Sequence, residues 1–428
     1  MLTGAADLPD VLTVHPVGSP PDLTVQVPGS KSITNRALLC AALAVGTSTL
    51  TGILLADDTR AMLDAVRSLG ARVDLDEGTR TAVVTGVAST DGLSVPAGVR
   101  VDARQSGTTS RFLLPALALL PGRSVLDGSE QLRARPFGPL VDAVRHLGAG
   151  VEELGEPGRL PVAVGGPVRG GRVALPGHLS SQFLSGLFLA APLMPDGLSV
   201  HLTSPLVSVP YLEMTAAVML SFGAQVEGLD VRTGGYRGCA YAVEPDASAA
   251  SYFLGAAAIT GGRITVQGLG TGSLQGDVRF ADVLERMGAT VDRSPDRITV
   301  TGTGTLHGVD VDMVDISDTA QTLAAVAVHA DGPTRVRGIG FIRGKETDRI
   351  AAVVTELRRA GIDAVEEPDG FSVHPGTPAP TRFRTYDDHR MAMSLALLGL
   401  RSPGIEIDDP GCVRKTYPGF FDDLARLA

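Results

Sequence analysis

Lys31 and Arg36 stand at the head of an apolar run, in Pro28-Gly29-Ser30-Lys31-Ser32-Ile33-Thr34-Asn35-Arg36 followed by Ala37–Val45. Cations at a helix N-terminus oppose the helix dipole and destabilise the helix unless an anion compensates them. One ammonium, one guanidinium and two hydroxyls at one helix start therefore read as a binding site for phosphate or carboxylate. A Walker A loop is excluded, because GxxxxGK[ST] is absent. Related segments carry different polar groups: Ser106-Gly107-Thr108-Thr109-Ser110-Arg111, Ser180-Ser181-Gln182, Ser317-Asp318-Thr319 ahead of Gln321, and Asp387-Asp388-His389-Arg390. Ser, Thr and Asp at such places are ordinary helix caps, and capping alone accounts for Ser180 and Ser181 as well as anion binding does. It does not call for Lys31, Arg36, Arg111, Gln182, Asp318, His389 and Arg390. Asp387-Asp388-His389-Arg390 lacks a second His or carboxylate cluster at ligand spacing, so caps with an anion-binding Arg fit better than a metal. Arg133 and Arg135, just before Pro136, read by themselves as an exposed loop pair. Lys345-Glu346-Thr347-Asp348-Arg349 reads as the start of an amphipathic helix, and Lys415 adds a cation near the C-terminus. GxSxG, HExxH and GxGxxG in a strand–helix context are all missing, which removes support for hydrolase, zincin and Rossmann readings.

These groups recur because the chain repeats. Arg36, Arg111, Gln182, Tyr252, Gln321 and Arg390 align at intervals of 75, 71, 70, 69 and 69 residues. Each lies early in a helix that is apolar nearly all round and so must be buried. About 35 residues later comes an amphipathic helix, such as that carrying Met62, Leu63, Val66 and Leu69. Each amphipathic pattern ends in a glycine (Gly70, Gly148, Gly223, Gly288, Gly361), the expected left-handed C-cap before a strand. Between the two helices a strand phrase follows a glycine, as in GTSTLTGIL and GGRITVQGL. Six α/β copies of roughly 70 residues result, and the last amphipathic helix is expected over Phe420–Leu427. Three copies per domain would place six buried helices in two parallel bundles. If their N-termini face a common cleft, the partial positive charges make an anion-attracting site. The ligand expected there is small and multiply anionic.

Composition narrows the classes further. The 428 residues are 44% hydrophobic and 20% charged, which suits a soluble protein of two or three domains. Lys+Arg 37 against Asp+Glu 47 gives a net charge of −10, and aromatics are 4% with no Trp. That balance disfavours nucleic-acid and anionic-membrane partners. Cys40, Cys239 and Cys412 are odd in number and far apart, against both a disulfide framework and structural zinc. No signal peptide is legible in MLTGAADLPD, and no apolar run reaches membrane-spanning length, so the cytosol is expected. Residues 1–20 suggest no element and are expected to be partly disordered.

Ten segments, in order, carry a resemblance: PGSKSITNR, SGTTSR, RARPFGPLVDA, LSSQFLSGL, LVSVPYLEMT, VEPDASAASYFLGAAA, SDTAQT, KETDRIAAVVTELR, DDHRMAM and DPGCVRKTYPGFF. From about Gln26 to Phe421 the chain resembles the 5-enolpyruvylshikimate-3-phosphate synthase family. The resemblance implies a two-domain inside-out α/β barrel of six βαβαββ repeats with its active site in the interdomain cleft. It places one domain at residues 1–29 and 244–428 and the other at 30–243, closing together on ligand. The implied reaction moves the enolpyruvyl group of phosphoenolpyruvate to the 5-hydroxyl of shikimate 3-phosphate and releases phosphate, on the shikimate pathway to chorismate and aromatic amino acids. By position, Lys31, Ser32, Arg36, Ser180, Ser181, Gln182, Ser208, Tyr211, Asp318 and Lys345 would hold shikimate 3-phosphate. Lys31, Gly107, Arg135, Gln182, Arg349, Arg390 and Lys415 would hold phosphoenolpyruvate. The acceptor hydroxyl must lose a proton while the enol methylene gains one, so acid and base groups are needed. Asp318 is the candidate base, with Glu346 and Lys31 shuttling protons to and from the tetrahedral intermediate. The resemblance implies no metal or organic cofactor, a monomer in the cytoplasm, and no membrane or nucleic-acid partner.

Departures from the family pattern are local. Gln105-Ser106-Gly107-Thr108-Thr109-Ser110-Arg111-Phe112 replaces the commoner Asn-Ala-Gly-Thr-Ala-Met-Arg-Pro, which leaves open the sensitivity to glyphosate, the herbicide that targets this family. Phe341 stands where many members carry an Asn that touches shikimate 3-phosphate, and Pro245 replaces a usual Gly. The related transferase acting on UDP-N-acetylglucosamine begins with Lys-Asn and usually carries a loop cysteine. Here Ser32 follows Lys31, and no Cys lies between Arg111 and Arg135. Intact Lys31, Asp318, Glu346 and Arg390 argue against a catalytically dead anion-binding scaffold.

Overall fold

The computed structural model describes residues 8–89 and 92–427. The chain packs as two compact units, Gly29–Glu244 and a second one made of the chain up to Pro28 together with Pro245 onward. In the first unit the buried helices Lys31–Ala42, Gly107–Leu117 and Ser181–Ala190 pack on one another. Gly186 allows the closest of these approaches, since a Cβ there would run into the Arg111 carbonyl. In the second unit, Ala247–Thr260, Ala320–Ala327 and His389–Gly399 form the equivalent trio. All six are apolar on nearly every face, and each trio is the centre of its unit's core.

Each buried helix leads into the central strand of a small sheet. In five sheets that strand pairs in parallel with one neighbour and antiparallel with the other, which in turn pairs with an antiparallel edge strand. Thr47–Thr51, for instance, lies parallel to Ala240–Ala242 and antiparallel to Thr81–Thr85, with Arg72–Asp76 beyond. Of the other two sheets among the described residues, one has three strands, Thr381–Phe383, Ile405–Asp408 and Val11–Val14, and the other joins the two-residue strands Tyr236–Arg237, Ala44–Val45, Ala88–Ser89 and Gly92–Leu93. Val11–Val14 thus pairs with a strand near the other end of the chain, and Asp22–Val25 pairs with Arg263–Gln267. The expectation of disorder for residues 1–20 is corrected over 8–20, while residues 1–7 lie outside the described residues.

Six further helices follow the strands: Asp57–Ser68, Gly138–His146, Val209–Ser221, Phe280–Arg286, Arg349–Arg359 and Phe420–Ala425. Five end as the sequence suggests, with Gly70, Gly148, Gly223, Gly288 and Gly361 all at positive φ. After Asp57–Ser68, Gly70 N–H bonds the Arg67 carbonyl and Ala71 N–H the Val66 carbonyl, a Schellman pair that satisfies the last orphan carbonyls.

Three expectations need correction. Lys345–Asp348 do not belong to the amphipathic helix, which begins at Arg349. Asp348 is its extended N-cap, accepting bonds from Ile350 and Ala351 N–H, while the preceding turn Gly340–Gly344 ends at Lys345. Val209–Ser221 is not two-faced: it packs against both Ser181–Ala190 and Lys31–Ala42, leaving Val209 and Leu220 exposed. The last helix ends at Ala425 rather than Leu427. Among the described residues no helix is long and apolar enough to cross a membrane, and no His/Cys/Asp/Glu group could hold a metal ion.

Candidate functional site

Caps decide where the site residues of Gly29–Glu244 begin. Ser30, Ser106 and Ser180 each accept a bond from a backbone N–H in the first turn of their helix. Lys31 is the first helical residue, and its Nζ lies 3.4 Å from Oδ2 of the buried Asp58. Arg36, one turn further in, is only 1% exposed. It donates to Thr215 Oγ1 (2.8 Å), the Ser32 carbonyl (2.8 Å), Ser185 Oγ (3.3 Å) and the Tyr211 carbonyl (3.2 Å), and stacks on Phe112. None of these partners is a carboxylate, and burial pulls the guanidinium pKa down to about 10. Four of its five N–H groups are therefore spent on protein, tying Tyr211 and Ser32 to the bundle.

Arg111 is held over the Phe137 and Phe183 rings, and its Nη1 donates to the Gly107 carbonyl and to Gln182 Oε1, both at 3.2 Å. Gln182 in turn reaches Thr108 Oγ1 at 3.5 Å. Arg133 and Arg135 do not form an exposed pair. Arg133 closes the short helix Glu130–Arg133 and forks onto Asp127 at 2.9 and 2.8 Å, whereas Arg135 is 6% exposed. A Cβ on Gly107 would stand 2.6 Å from Arg135 Nη1 and 2.5 Å from Arg111 Nη1, so any other residue there must push these guanidiniums aside. Ser208 adopts left-handed backbone (φ 54) at the head of Val209–Ser221, a strained conformation for a non-glycine residue at a site position. Lys31, Arg36, Arg111 and Arg135 thus stand at or near the helix starts of this unit, with Asp58 beside Lys31.

The second unit balances its cations differently. Arg349, 2% exposed, donates from Nε and Nη2 to Asp388 (2.8 and 3.2 Å), from Nη2 to Glu346 (2.8 Å) and from Nη1 to Asp318 (3.2 Å). Burial works against its charge, but Asp388, Glu346 and Asp318 outweigh it and raise the pKa. Arg390 Nη2 donates to the other Asp318 oxygen at 2.8 Å, and its Nη1 lies 3.5 Å from Tyr252 OH. Lys415 Nζ meets Glu346 Oε1 at 3.1 Å. Asp388, fully buried, also caps its helix by accepting from Arg390 N–H at 2.9 Å. Asp318, Glu346, Arg349, Arg390 and Lys415 therefore form one continuous network, with Lys345 next to Glu346 in the chain. Phe341 packs against the apolar core of this unit.

A family model described as EPSP synthase (3-phosphoshikimate 1-carboxyvinyltransferase) matches residues 18–424. The chain belongs to the EPSP synthase family. It is 44% identical to a 3-phosphoshikimate 1-carboxyvinyltransferase of Erwinia tasmaniensis, covering 98% of this chain and 99% of that one. A Nostoc punctiforme protein of the same name is 42% identical over 96% and 98% of the two chains. Among solved structures, an EPSP synthase from Acinetobacter baumannii matches with a TM-score of 0.81 at 28% identity, covering 98% of each chain. Membership of the EPSP synthase family makes this chain an α/β transferase.

Sequence reasoning missed Asp58 as the partner of Lys31, and read Asp388 only as a cap. The first lies 27 residues from Lys31 with no motif to link them. For the second, the Asp two residues before Arg390 was a visible signal, but its bidentate hold on Arg349 depends on a contact 39 positions away.

Asp277 was also missed. Burial, with Asp318 as the next cause, pushes its pKa from an ordinary 3.8 up to about 7. Its folded value lies above its unfolded one, so its contribution to stability is intact below about pH 4 and is lost as pH rises to about 7. Replacing it with Asn should remove that loss. Chemical denaturation at pH 5 and pH 8 is expected to show Asp277→Asn gaining on the parent protein at the higher pH, and an equal difference at both would contradict this.

Proposed function

We propose that the two residue networks carry out the family reaction, moving the enolpyruvyl group of phosphoenolpyruvate to the 5-hydroxyl of shikimate 3-phosphate and releasing phosphate. The observation that supports this most strongly is the gathering of Lys31, Arg36, Arg111 and Arg135, all little exposed, at or near the helix starts of Gly29–Glu244, in a chain with a net charge of −10. Cations gathered at helix N-termini, where the backbone N–H groups already favour negative charge, suit an anionic ligand.

Lys31, Ser32, Arg36, Ser180, Ser181, Gln182, Ser208 and Tyr211 are assigned to shikimate 3-phosphate, together with Asp318 and Lys345 from the other unit. Lys31, Gly107, Arg135 and Gln182 are assigned to phosphoenolpyruvate, with Arg349, Arg390 and Lys415. Arg36 has one N–H left on Nη1 for its ligand, so its larger task is to fix Tyr211 and Ser32. Arg349 and Arg390 already bond Asp318, and a substrate carboxylate would compete for those N–H groups. Asp318 would then accept the 5-hydroxyl proton as the oxygen attacks phosphoenolpyruvate and the methylene is protonated. Glu346, fixed by Arg349 and Lys415, and Lys31, fixed by Asp58, would move protons to and from the tetrahedral intermediate as phosphate leaves. The cations stabilise the charge that develops on the carboxylate and the leaving phosphate. The same reading takes the enzyme as monomeric and cytoplasmic.

Phosphate release with phosphoenolpyruvate and each of two acceptors tests it. Release only with shikimate 3-phosphate is expected; release only with UDP-N-acetylglucosamine, or with neither, contradicts it. A second test uses Gly107→Ala, whose Cβ must displace Arg135. Displacement of a binding group by about 1 Å can cost up to ~10²-fold, so KM for phosphoenolpyruvate should rise by at least ~10-fold. The Kd for shikimate 3-phosphate should stay nearly constant. Equal weakening of both would remove Arg135 from phosphoenolpyruvate.

A further inference from the structure

Asp277 sits in the turn Gly276–Arg279, which packs against the helix Ala247–Thr260 and against Ser317–Thr319, the turn carrying Asp318. Gln275 anchors this turn: its Oε1 accepts from Ala247 N–H at 3.0 Å and its Nε2 donates to the Pro245 carbonyl at 2.6 Å. Ser248 Oγ donates to Asp277 Oδ2, and the residue is 4% exposed. The carboxyl is therefore buried, fixed by a hydroxyl donor and within electrostatic reach of Asp318. Other charged groups acting on it are Arg390 from His389–Gly399 and Asp246 at the cap of Ala247–Thr260. Arg279, on its own turn, pairs instead with Asp315 at 3.5 Å. Two interacting carboxyls share their titration, since ionising one makes the other hold its proton more tightly.

We propose that Asp277 is a positioning residue for the reaction, its ionisation setting how strongly Asp318 draws the proton from the 5-hydroxyl. The inference rests on Asp318 as the base. With Asp277 protonated, Asp318 faces Arg349 and Arg390 without that added negative charge, and those two cations weaken its pull on a proton. With Asp277 ionised, the added negative field strengthens that pull, and turnover rises. The proton passes from substrate oxygen to Asp318; none passes to Asp277 during turnover. Burial and Asp318 bring the Asp277 transition to about pH 7, while the Ser248 hydroxyl acts to lower it.

The test is kcat against pH from 5.5 to 9 for the parent enzyme, Asp277→Asn, Ser248→Ala and Asp318→Asn. The parent should show a several-fold step near pH 7. Asp277→Asn should lose the step and stay on the low-pH plateau. Ser248→Ala should keep it, displaced to higher pH, and this milder variant serves if Asp277→Asn fails to fold. A step of unchanged height and position in Asp277→Asn, a uniform drop at every pH, or an unmoved step in Ser248→Ala would each overturn the proposal. A fully active Asp318→Asn removes the base itself, whereas an inactive Asp318→Asn beside an unchanged step in Asp277→Asn removes Asp277 alone.

Discussion

Asp318→Asn should lower kcat by about 10²–10⁴-fold, the usual contribution of a positioned general base, with little change in the Kd for shikimate 3-phosphate. The asymmetry follows from the geometry. An amide keeps an oxygen for Arg390 or Arg349, whose bonds to Asp318 are 2.8 and 3.2 Å, so the surrounding network loses charge but keeps its shape. In the proposed assignment shikimate 3-phosphate draws, besides Asp318 itself, on Lys31, Ser32, Arg36, Ser180, Ser181, Gln182, Ser208, Tyr211 and Lys345, and those contacts are untouched. What disappears is the group that can take the proton. Steady-state turnover with calorimetric binding separates the two effects. An unchanged kcat would remove Asp318 as base, and a parallel loss of affinity would mean that its larger role is in binding.

Asp388→Ala should be the most damaging substitution to the stability of its unit. Asp388 is fully buried, gives both oxygens to Arg349 and caps His389–Gly399. Removing one partner of a buried ion pair costs about 3–5 kcal/mol because the remaining charge has nowhere to go. The lost cap adds about 1 kcal/mol. Glu346 and Asp318 still face Arg349, which keeps the loss nearer the lower end. For a unit of this size each kcal/mol shifts Tm by about 2–4 °C, so a drop on the order of 10 °C is expected by calorimetry. Asp388→Asn, which retains the cap oxygen, should lose less. A Tm within about 2 °C of the parent for Asp388→Ala would mean that Arg349 finds full compensation elsewhere. Turnover should fall as well, since Arg349 would lose two of its four bonds.

The periodic features were readable in the chain because they depend on neighbours in sequence. Gly70 must follow the last helical turn wherever the helix packs, and its left-handed φ follows from that local need. Likewise the buried helices show themselves by being apolar on every face. The features that escaped depend on distant partners. Arg133 and Arg135 are two residues apart with similar surroundings in sequence, yet one turns outward to Asp127 and the other is buried over Gly107. Nothing near Lys31 points to Asp58. Lys345–Arg349 has the composition of a helix start, but Asp348 takes the cap and leaves Lys345 and Glu346 outside, in a segment whose backbone need not follow a helical course. Membership of the EPSP synthase family was carried by motifs spread over nearly the whole chain, which is why it could be read before any contact was known.

The pairing of Val11–Val14 with Ile405–Asp408 bears on how the protein is made. Both early strands leave the ribosome long before their partners exist: Asp22–Val25 must wait for Arg263–Gln267, and Val11–Val14 for nearly the whole message to be read. Gly29–Glu244 contains all of its own sheet partners and can condense while synthesis continues. At about 5–20 residues per second the first strand spends about 20 to 80 seconds as an unpaired nascent segment. Polar neighbours such as His15, Asp10 and Asp22 help keep that segment solvated until its place in the sheet is built.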